Sequence, residues 1–496
     1  MPNIPETVAA FLATASIGAV WASAAPEFGA RAVVDRFAQL EPALLLAVDG
    51  YRYGGKDFDR TGVVASISAE VGAPVIRLGY LDGAGWEPGL LGERDAPLDF
   101  VPVDFQHPLF MLSSSGTTGL PKAIVHGHGG ILIEQLKYQH LHLDARRGDR
   151  VFWFTTTGWM MWNFLVGVLS TEASIILYDG NPGTPSHERL WDLAAESGMT
   201  MFGTSPAYLT SCEKAGVEPA KGRDLASLRA VGATGAPLPP EAYTWVRDHL
   251  GADVWLCATS GGTDVCTALV GGIPTLPVYR GEMQGPALGV SVAAYDDAGH
   301  AVVDQVGELV VTEPMPSMPV GFWNDPDGSR MRETYFDRFP GVWRHGGWVE
   351  ITARHTMIIS GLSDSTINRG GVRIGTGEIY RAVLVDEAVV DALVVDVPRE
   401  GAENWMALFV ALREGESLSP EVASRIRQRI RRDCSPRHVP DDVLQVPRIP
   451  RTLSGKLVEV PVKRILMGVP PDRAVSRESL ADPAALDSFI GMTPPR

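Results

Sequence analysis

The stretch Leu109-Phe-Met-Leu-Ser-Ser-Ser-Gly-Thr-Thr-Gly-Leu-Pro-Lys-Ala-Ile-Val125 places a loop of hydroxyl groups and glycines between two short apolar runs. Gly116 and Gly119 permit positive φ angles and close approach, so the backbone N–H groups of such a loop can surround phosphate oxygens. Lys122 adds a positive charge, and further donors come from the hydroxyl groups of Ser114, Ser115, Thr117 and Thr118. The pattern predicts a phosphate-binding loop between two strands.

Two other interpretations of this loop fit less well. It is not a Walker loop, because Pro121 precedes the lysine and no hydroxyl residue follows it. A flexible Ser/Gly linker is the remaining alternative. We disfavour it because a linker is seldom enclosed by two apolar strands.

The composition is that of a globular protein with more than one domain. The chain has 496 residues, of which 45% are hydrophobic and 21% charged. Its net charge of −16 disfavours non-specific binding to nucleic acid or to anionic membranes, so a nucleotide site needs its own local cations. The cysteines are scattered without a CxxC pair, which predicts a reducing, cytoplasmic setting with buried thiols and argues against a disulfide framework or a zinc site. They are Cys212, Cys257, Cys266 and Cys434.

The first apolar segment, residues 8–25, resembles a signal peptide that ends in Ala-Ser-Ala-Ala. However, Glu6 is the only charged residue before it, whereas a signal peptide begins with basic residues. Pro5 and Glu6 are typical of the first turn of a helix. We predict a buried helix over this segment. Nowhere is a run long and apolar enough to span a bilayer.

Short β-branched runs alternate with helical patterns over most of the chain. Strands are predicted at 43–48, 151–154, 174–178, 201–203, 228–232 and 253–258, and helices at 131–138, 187–197 and 239–250. This alternation indicates an α/β domain with largely parallel sheets. The runs 290–295 and 307–311 look antiparallel instead, because a turn at 296–299 joins them, and 343–351 is predicted as a further strand or hairpin.

A small α+β domain is predicted to begin at Asp364, which gives a large domain over 1–363 and a small one over 364–496. Its order is strand and turn 367–374, helix 376–385, strands 389–397 and 405–412, and helix 420–434. We expect a sheet covered on one side. Five arginines between 425 and 432 form either a solvated face over an apolar stripe or a docking surface for an anionic substrate.

Four later segments are candidates for the same nucleotide site as the phosphate loop. The turn 232–237 follows a strand, and its glycines allow a flat base to lie against the backbone. Asp264 either holds Mg²⁺ that bridges phosphates or caps a turn. The segment 361–373 joins the two predicted domains and suits a hinge. Lys456 lies in a Gly/Ser loop, from which it either reaches an anionic transition state or remains a solvated surface charge.

In this order, these segments resemble the adenylate-forming acyl-CoA synthetases. Several longer stretches resemble acetoacetyl-CoA synthetases in particular, and the resemblance spans essentially the whole chain. They are MPNIPETVAAFLATASIGAVW at 1–21, VVDRFAQLEP at 33–42, AVDGYRYGGKDFDR at 47–60, GWMMWN at 158–163 and SGGTDV at 260–265.

The resemblance implies a two-step reaction with ATP, coenzyme A and Mg²⁺. Acetoacetate attacks the α-phosphate of ATP to give acetoacetyl-AMP and pyrophosphate, and the coenzyme A thiolate then displaces AMP. Such a protein needs no nucleophile of its own, since its task is to position anions and neutralise charge.

The resemblance also implies a role for each motif residue. The β- and γ-phosphates would be held by Ser114, Ser115, Gly116, Thr117, Thr118, Gly119 and Lys122, with Thr118 also catalytic. The adenine would be flanked by Gly235, Ala236, Pro237 and Thr263. Asp264 would bind Mg²⁺, and Lys456 would bridge the carboxylate and the α-phosphate. Asp364 would be the hinge, and the thioester step would use Gly370, Gly371 and Arg373. Trp159 and Trp162 are candidates for the acyl pocket, although either also suits a core.

Three features depart from the family pattern. Gly347 stands where the family has an aspartate, and Leu362 where it has an arginine, both associated with the ribose of ATP. A hydrogen bond to a charged group contributes roughly 1.5–3 kcal/mol, so losing both predicts binding or catalysis weaker by about two to four powers of ten. The chain also starts inside the family's first subdomain. From this we expect exposed apolar surface, and hence poor solubility or a tightly bound partner.

These departures leave three functions open. The leading one is an ATP-dependent acetoacetate–CoA ligase. The first alternative is a ligase for another short-chain acid, and the second is a degenerate homologue that binds nucleotide or acyl-CoA weakly. An adenylation domain that serves a carrier protein fits less well, because the tail beyond Lys463 is short. The sequence does not predict an oligomeric state.

Overall fold

The structure is a computed structural model. It describes residues 1–87, 96–114, 121–363, 367–369, 372–374, 376–399, 402–433, 436–453, 455–475 and 477–493.

Helices lie mainly between the strands of the large domain and on both faces of the small one. Their bounds are α1 Pro5–Ser16, α2 Ala30–Phe37, α3 Thr61–Val71, α4 His128–Leu141, α5 Met160–Gly167, α6 Arg189–Ser197, α7 Pro206–Lys214, α8 Pro240–Leu250, α9 Ser329–Tyr335, α10 Thr376–Leu384, α11 Pro420–Asp433, α12 Glu459–Leu466 and α13 Pro471–Ala474.

The strands of the large domain precede those of the small domain along the chain. The first group is β1 Trp21–Ala22, β2 Leu45–Val48, β3 Gly50–Tyr53, β4 Lys56–Asp59, β5 Val75–Gly79, β6 Gly85–Trp86, β7 Pro108–Ser114, β8 Lys122–Gly127, β9 Arg150–Trp153, β10 Ser174–Ile176, β11 Met201–Thr204, β12 Ala230–Ala233 and β13 Trp255–Ala258. The second group is β14 Ser260–Gly262, β15 Thr267–Gly271, β16 Gly285–Pro286, β17 Val292–Tyr295, β18 Val306–Val311, β19 Gly321–Phe322, β20 Trp343–Ile351, β21 Met357–Leu362, β22 Ile367–Arg369, β23 Val372–Ile374, β24 Val389–Arg399, β25 Ala402–Leu412 and β26 Asp442–Gln445.

The helix α1 begins as predicted but ends earlier than residue 25. Pro5 occupies its first turn, where a missing N–H costs nothing. The chain leaves the helix at Ser16 and turns through Gly18, whose φ is 70°. Trp21–Ala22 then pairs with β7 as a strand. One face of α1 is buried while Leu12 is 48% exposed, so the prediction of a buried helix over 8–25 was wrong in its length and only partly right in its burial.

The α/β pattern produces a five-stranded parallel sheet in the order β10-β9-β11-β12-β13. Strands buried on both faces read as continuous apolar runs, as the sequence pattern indicated. The segments that follow β12 and β13 leave the same carboxyl edge of this sheet, where ligands bind in open α/β folds. The predicted adenine turn and the Asp264 segment therefore lie side by side.

Two further sheets complete the frame of the site. The first has the order β1-β7-β8-β19, and the predicted phosphate loop connects β7 to β8. The second has the order β17-β18-β20-β21 and is antiparallel, which confirms the prediction for residues 290–311. Its last strand leads into the predicted hinge.

The small domain contains the predicted order of strands and helices, but its sheet is covered on both faces. One face of β24 and β25 packs against α10 and α11 through residues such as Val394 and Leu408. The other packs against α12 and the C-terminal segment through Leu393 and Phe409. The prediction of a single covered side was wrong because apolar residues occupy both alternating positions of these strands. Val422, Ile426 and Ile430 of α11 are buried, which confirms the apolar stripe.

Part of the large-domain surface is apolar. Leu98, Phe100 and Phe105 are 71%, 69% and 57% exposed, and Ile17 is 64% exposed. The segments that carry them touch, because the N–H of Val101 donates to the carbonyl of Ser16 over 2.9 Å. These two segments thus form an exposed apolar area on the large domain. Among the described helices, none is both long and apolar enough to cross a membrane.

Candidate active site

The predicted phosphate loop is a connection within one sheet. β7 and β8 pair in an antiparallel register that ends with Ser114 opposite Lys122, and the flanking Leu112 and Ile124 are buried. The loop therefore joins two paired strands, which contradicts the alternative of a linker. Ser114 is described through its backbone, whereas Ser115, Gly116, Thr117, Thr118 and Gly119 lie outside the described residues.

Asp264 lies in the turn between β14 and β15, and side chains from distant elements surround it. The hydroxyl of Tyr335, the last residue of α9, donates a hydrogen bond to Oδ1 of Asp264. The His345 ring of β20 packs on the other side. A Cβ at Gly262 would lie 2.7 Å from Cε1 of His345 and 3.4 Å from Oδ2 of Asp264, so this close approach requires glycine.

Lys456 reaches the same centre from the small domain. Its side chain is accessible to solvent, yet the surrounding protein atoms lower its pKa, an effect that the negative charge of Asp264 opposes. The lysine therefore lies within interaction range of the Asp264 carboxylate, across the boundary between the two domains. This arrangement brings together Asp264 and Lys456, which are 192 positions apart in the numbering of the chain.

The loop that carries Lys456 is held by an ion pair. Nη1 of Arg451 donates to the carbonyl oxygen of Gly455 over 2.7 Å. The other guanidinium nitrogens contact both carboxylate oxygens of Asp391, each over 2.7 Å. The backbone N–H of Lys456 donates to Oγ1 of Thr452 over 3.0 Å. We call Arg451 and Asp391 the loop clamp, since they fix the carbonyl next to Lys456.

The predicted adenine turn lies beside one of the two tryptophans. Gly235 has a φ of 102°, and a Cβ at this position would lie 3.4 Å from Cζ2 of Trp159. Oγ1 of Thr234 donates to the carbonyl of Thr259 over 2.9 Å, which ties the turn to the Asp264 segment. Trp159 is partly exposed and therefore remains a candidate for the acyl pocket.

Trp162 does not line a cavity. Its side chain is completely buried, stacks on Trp21 with 6.1 Å between ring centroids, and meets Phe11 edge-on at 5.8 Å. The aromatic rings of the core enclose Trp162 completely, which fits core packing and not the predicted pocket wall, whereas Trp159 at the N-cap of α5 remains partly exposed.

Contacts between the domains accompany the position of Lys456. A Cβ at Gly377 would lie 3.6 Å from Cγ of Pro237, so the start of α10 abuts the adenine turn. Nζ of Lys214 donates to the carbonyl of Val390 over 3.3 Å. Oε2 of Glu478 accepts from the backbone N–H of Ala32, in the first turn of α2, over 3.1 Å.

The hinge and the thioester-step residues can be placed only in part. Asp364, Gly370 and Gly371 lie outside the described residues. Arg373 is described through its backbone, which pairs with Asn368 in the β22–β23 hairpin. Their roles stay predictions.

Gly347 and Leu362 are direct cross-strand partners in the β20–β21 pair. Two separate motifs of the sequence thus meet at one point, as the hypothesis of a single altered sub-site requires. A Cβ at Gly347 would approach nothing closer than the Gly361 carbonyl oxygen, at 3.5 Å. A Cβ therefore fits at this position without a clash.

Three further side chains surround Asp264, and none of them was assigned to the nucleotide site from the sequence. Tyr335 and His345 were described above, and His126 is completely buried beside them. Burial lowers the pKa of His126 to about 4, which the charge of Asp264 opposes, so the imidazole is neutral near pH 7. His345 stands two positions before Gly347, and nothing in the spacing singles out Tyr335.

The histidine at 142 is structural. Its Nδ1 lies 2.8 Å from the carbonyl of Gly272, and its Nε2 accepts from the backbone N–H of Leu288 over 2.9 Å. Because Nε2 accepts, the ring is neutral with its proton on Nδ1. Burial lowers the pKa of His142 accordingly. No cluster of three or more metal-binding side chains occurs within the described ranges.

A magnesium ion carried by a triphosphate fits these residues. Mg²⁺ in nucleotide sites is held by one or two carboxylates, with phosphates and water as its other ligands. Asp264 supplies one such carboxylate in a cleft that also contains Lys456. The protein thus offers a partial site that a nucleotide would complete.

The comparisons agree with this geometry at the level of protein class. The family described as AMP-binding enzyme matches residues 1–320, and the AMP-binding enzyme C-terminal domain matches residues 378–456. The chain thus belongs to the adenylate-forming enzymes, with a large N-terminal α/β domain and a small C-terminal α+β domain.

Relatives narrow the class to one family. The acetoacetyl-coenzyme A synthetase of Rhizobium meliloti (strain 1021) is 45% identical over 99% of this chain and 77% of its own length. The acetoacetyl-CoA synthetase of Gallus gallus is 39% identical over 99% of this chain and 76% of its own length. The structure of the acetoacetyl-CoA synthetase from Streptomyces lividans superposes with a TM-score of 0.92 at 50% identity, covering 99% and 76% of the two chains. The chain belongs to the acetoacetyl-CoA synthetase family and is an AMP-forming acid–thiol ligase.

Proposed function

We propose that the chain is an ATP-dependent acetoacetate–CoA ligase. The observation that carries the proposal is the meeting of Asp264 and Lys456 in one cleft, beside the strand that begins with Lys122, in a chain of this family. ATP and coenzyme A are the co-substrates of the AMP-forming reaction class. Acetoacetate is proposed from the relatives.

In the first step, the acetoacetate carboxylate attacks the α-phosphate and pyrophosphate leaves. Lys122 and the loop from Ser114 to Gly119 would bind the β- and γ-phosphates, with Thr118 donating to a phosphate oxygen. Mg²⁺ bound by Asp264 would neutralise charge on the triphosphate. Lys456 would bridge the carboxylate and the α-phosphate, because it is the cation that enters the cleft opposite Asp264. The adenine would lie along Gly235, Ala236, Pro237 and Thr263.

In the second step, the coenzyme A thiolate attacks the acyl carbon and AMP leaves. We propose that the small domain rotates about Asp364, which withdraws Lys456 and brings in Gly370, Gly371 and Arg373. Such a rotation must break the contacts of Lys214, Gly377 and Glu478 with the opposite domain. We assign the observed arrangement to the adenylation step of this proposal, because Lys456 interacts with Asp264 in it.

The buried thiols support a reducing, cytoplasmic setting as part of the same proposal. Cys212, Cys257 and Cys266 are free and buried, and Cys434 lies outside the described residues. Burial raises the pKa of Cys257 to about 12, so this thiol stays protonated and unreactive.

The test measures AMP formation with ATP, Mg²⁺ and coenzyme A against acetate, propionate, acetoacetate and butyrate. The proposal expects acetoacetate to give the highest kcat/KM. If another acid gives a higher kcat/KM, that acid is the substrate and the protein is still a CoA ligase. If nucleotide binds but no acid gives AMP, the degenerate homologue is correct, and the Gly347–Leu362 pair is the observation that favours it.

A further inference from the structure

Tyr335 is held rigidly between aromatic rings. Its side chain is 4% exposed. The ring stacks on Trp343 with centroids 3.6 Å apart and an interplanar angle of 14°, and it meets Phe322 edge-on at 5.7 Å. Because contacts on the face and the edge fix the plane of the ring, they also fix where its hydroxyl points.

Two charged groups from separate motifs meet this one side chain. The hydroxyl donates to Oδ1 of Asp264. Nζ of Lys122 lies 5.6 Å from the centroid of the ring, within the range of a cation–π interaction. A tyrosine hydroxyl has an ordinary pKa of about 10, so the phenol keeps its proton near neutral pH and is the donor in this contact.

The position of Tyr335 prevents a direct ion pair between Lys122 and Asp264 when no nucleotide is bound. Lys122 and Asp264 attract each other, and a direct ion pair between them would have to break before a triphosphate could bind. The phenol instead satisfies one carboxylate oxygen, while the ring face attracts the ammonium group. Within the described part of the chain, Lys122 forms no ion pair.

We propose that Tyr335 is a positioning residue that keeps Lys122 and Asp264 apart and correctly oriented for a Mg²⁺-bound triphosphate. The hydrogen bond fixes the rotation of the Asp264 carboxylate, which leaves Oδ2 free to coordinate. The inference deepens the proposed function and rests on it, since it assigns Tyr335 to the nucleotide site of that ligase.

The test uses Tyr335→Phe, which keeps the ring and removes only the hydroxyl. Binding of α,β-methylene-ATP, which cannot form the adenylate, is measured by calorimetry with Mg²⁺ and with EDTA. We expect affinity in Mg²⁺ to fall by about tenfold to a hundredfold, the worth of one hydrogen bond to a charged group. Affinity in EDTA should stay unchanged, because there is then no metal ion for the carboxylate to bind and the phenylalanine ring still attracts Lys122.

A second variant separates the two contacts of Tyr335. Tyr335→Leu also removes the ring, so we expect it to lose affinity in EDTA as well, through Lys122. Tyr243→Phe is the matched control, because Tyr243 is 8% exposed and its hydroxyl donates to the carbonyl of Glu282 over 3.2 Å, outside the site. It should bind the analogue like the parent under both conditions.

Each outcome decides between the two proposals. If Tyr335→Phe loses equal affinity with and without Mg²⁺, or loses none, while the parent forms AMP, the positioning role is wrong and the ligase stands. If the parent neither binds the analogue nor forms AMP, both proposals fail. A purely structural role predicts a lower melting temperature without the difference between Mg²⁺ and EDTA.

Discussion

Removing the loop clamp should slow adenylation and leave thioester formation unchanged. Arg451→Gln abolishes the bidentate contact with Asp391 and the hydrogen bond to the Gly455 carbonyl. A hydrogen bond from a charged donor is worth roughly 1.5–3 kcal/mol. If that free energy keeps Lys456 in place, the fraction of correctly placed lysine falls by about tenfold to a hundredfold.

The variant should also be less stable. The Arg451 and Asp391 side chains are 25% and 21% exposed. Breaking a fully buried pair costs about 3–5 kcal/mol, and partial exposure lowers this to about 1–3 kcal/mol. Most of the protein should therefore remain folded at 25 °C, so that a loss of activity reports on the loop.

Two assays separate the steps. Pyrophosphate–ATP exchange with acetoacetate measures adenylation, and conversion of synthetic acetoacetyl-AMP with coenzyme A measures thioester formation. We expect exchange to fall by about ten- to a hundredfold, following the displaced lysine, while thioester formation stays near the parental rate. The second step does not use Lys456 in the proposed mechanism.

The control is Arg425→Gln, in the same domain. Arg425 contacts both oxygens of Asp386 over 2.7 and 2.9 Å, on α11 rather than on the loop. The Arg425→Gln variant should have a lower melting temperature, but its ratio of pyrophosphate exchange to thioester formation should equal that of the parent. An Arg451→Gln enzyme with unchanged exchange, or with both steps slowed equally, would refute the reasoning.

Three further predictions concern other parts of the chain. Gly347→Asp together with Leu362→Arg should raise acetoacetate-dependent pyrophosphate exchange by up to about two to four powers of ten, and an unchanged rate would contradict the altered sub-site. His142 has a lowered pKa in the folded state, so the unfolded chain binds its proton first and the free energy of unfolding decreases as pH falls below about 6.5. When the free energy of unfolding is measured by chemical denaturation at several pH values, it should depend less steeply on pH in His142→Gln than in the parent, by at most about 1.4 kcal/mol per pH unit. An identical dependence on pH in the two proteins would show that other groups cause the acid sensitivity. Phe100→Asp and Phe105→Asp should increase solubility and reduce self-association, as measured by sedimentation velocity. If the parent protein is already a monodisperse monomer, the exposed phenylalanines do not cause self-association.

Local patterns predicted the elements of the fold well. The parallel strands were correct because buried strands are continuous apolar runs, and β12 and β13 differ from their predicted bounds by no more than two residues. The start of α1 was correct since Pro5 marks it. Its end was not, because an apolar run continues from helix into strand and only the pairing of Trp21 with Phe110 distinguishes them.

The site was predictable where the chain itself carries a motif. Asp264 and Lys456 stand in recognisable turns, and the fold brings them together. Tyr335 could not be predicted, because it contacts Asp264 across 71 positions and stands at the end of a short helix without a motif. Trp162 illustrates the reverse case, since its motif drew attention to a side chain that packing had placed in the core.

The contact of Glu478 with the N-terminus of α2 makes the lifetime of the adenylation arrangement sensitive to salt. A carboxylate at a helix N-terminus is attracted by the partial positive charge there, and this attraction is screened when it is exposed. Glu478 is exposed and lies near the C-terminal end of the small domain. Rising ionic strength should therefore weaken this contact and shorten the time that the small domain spends in the adenylation arrangement. Glu478 would then influence the rate of turnover without contacting a substrate.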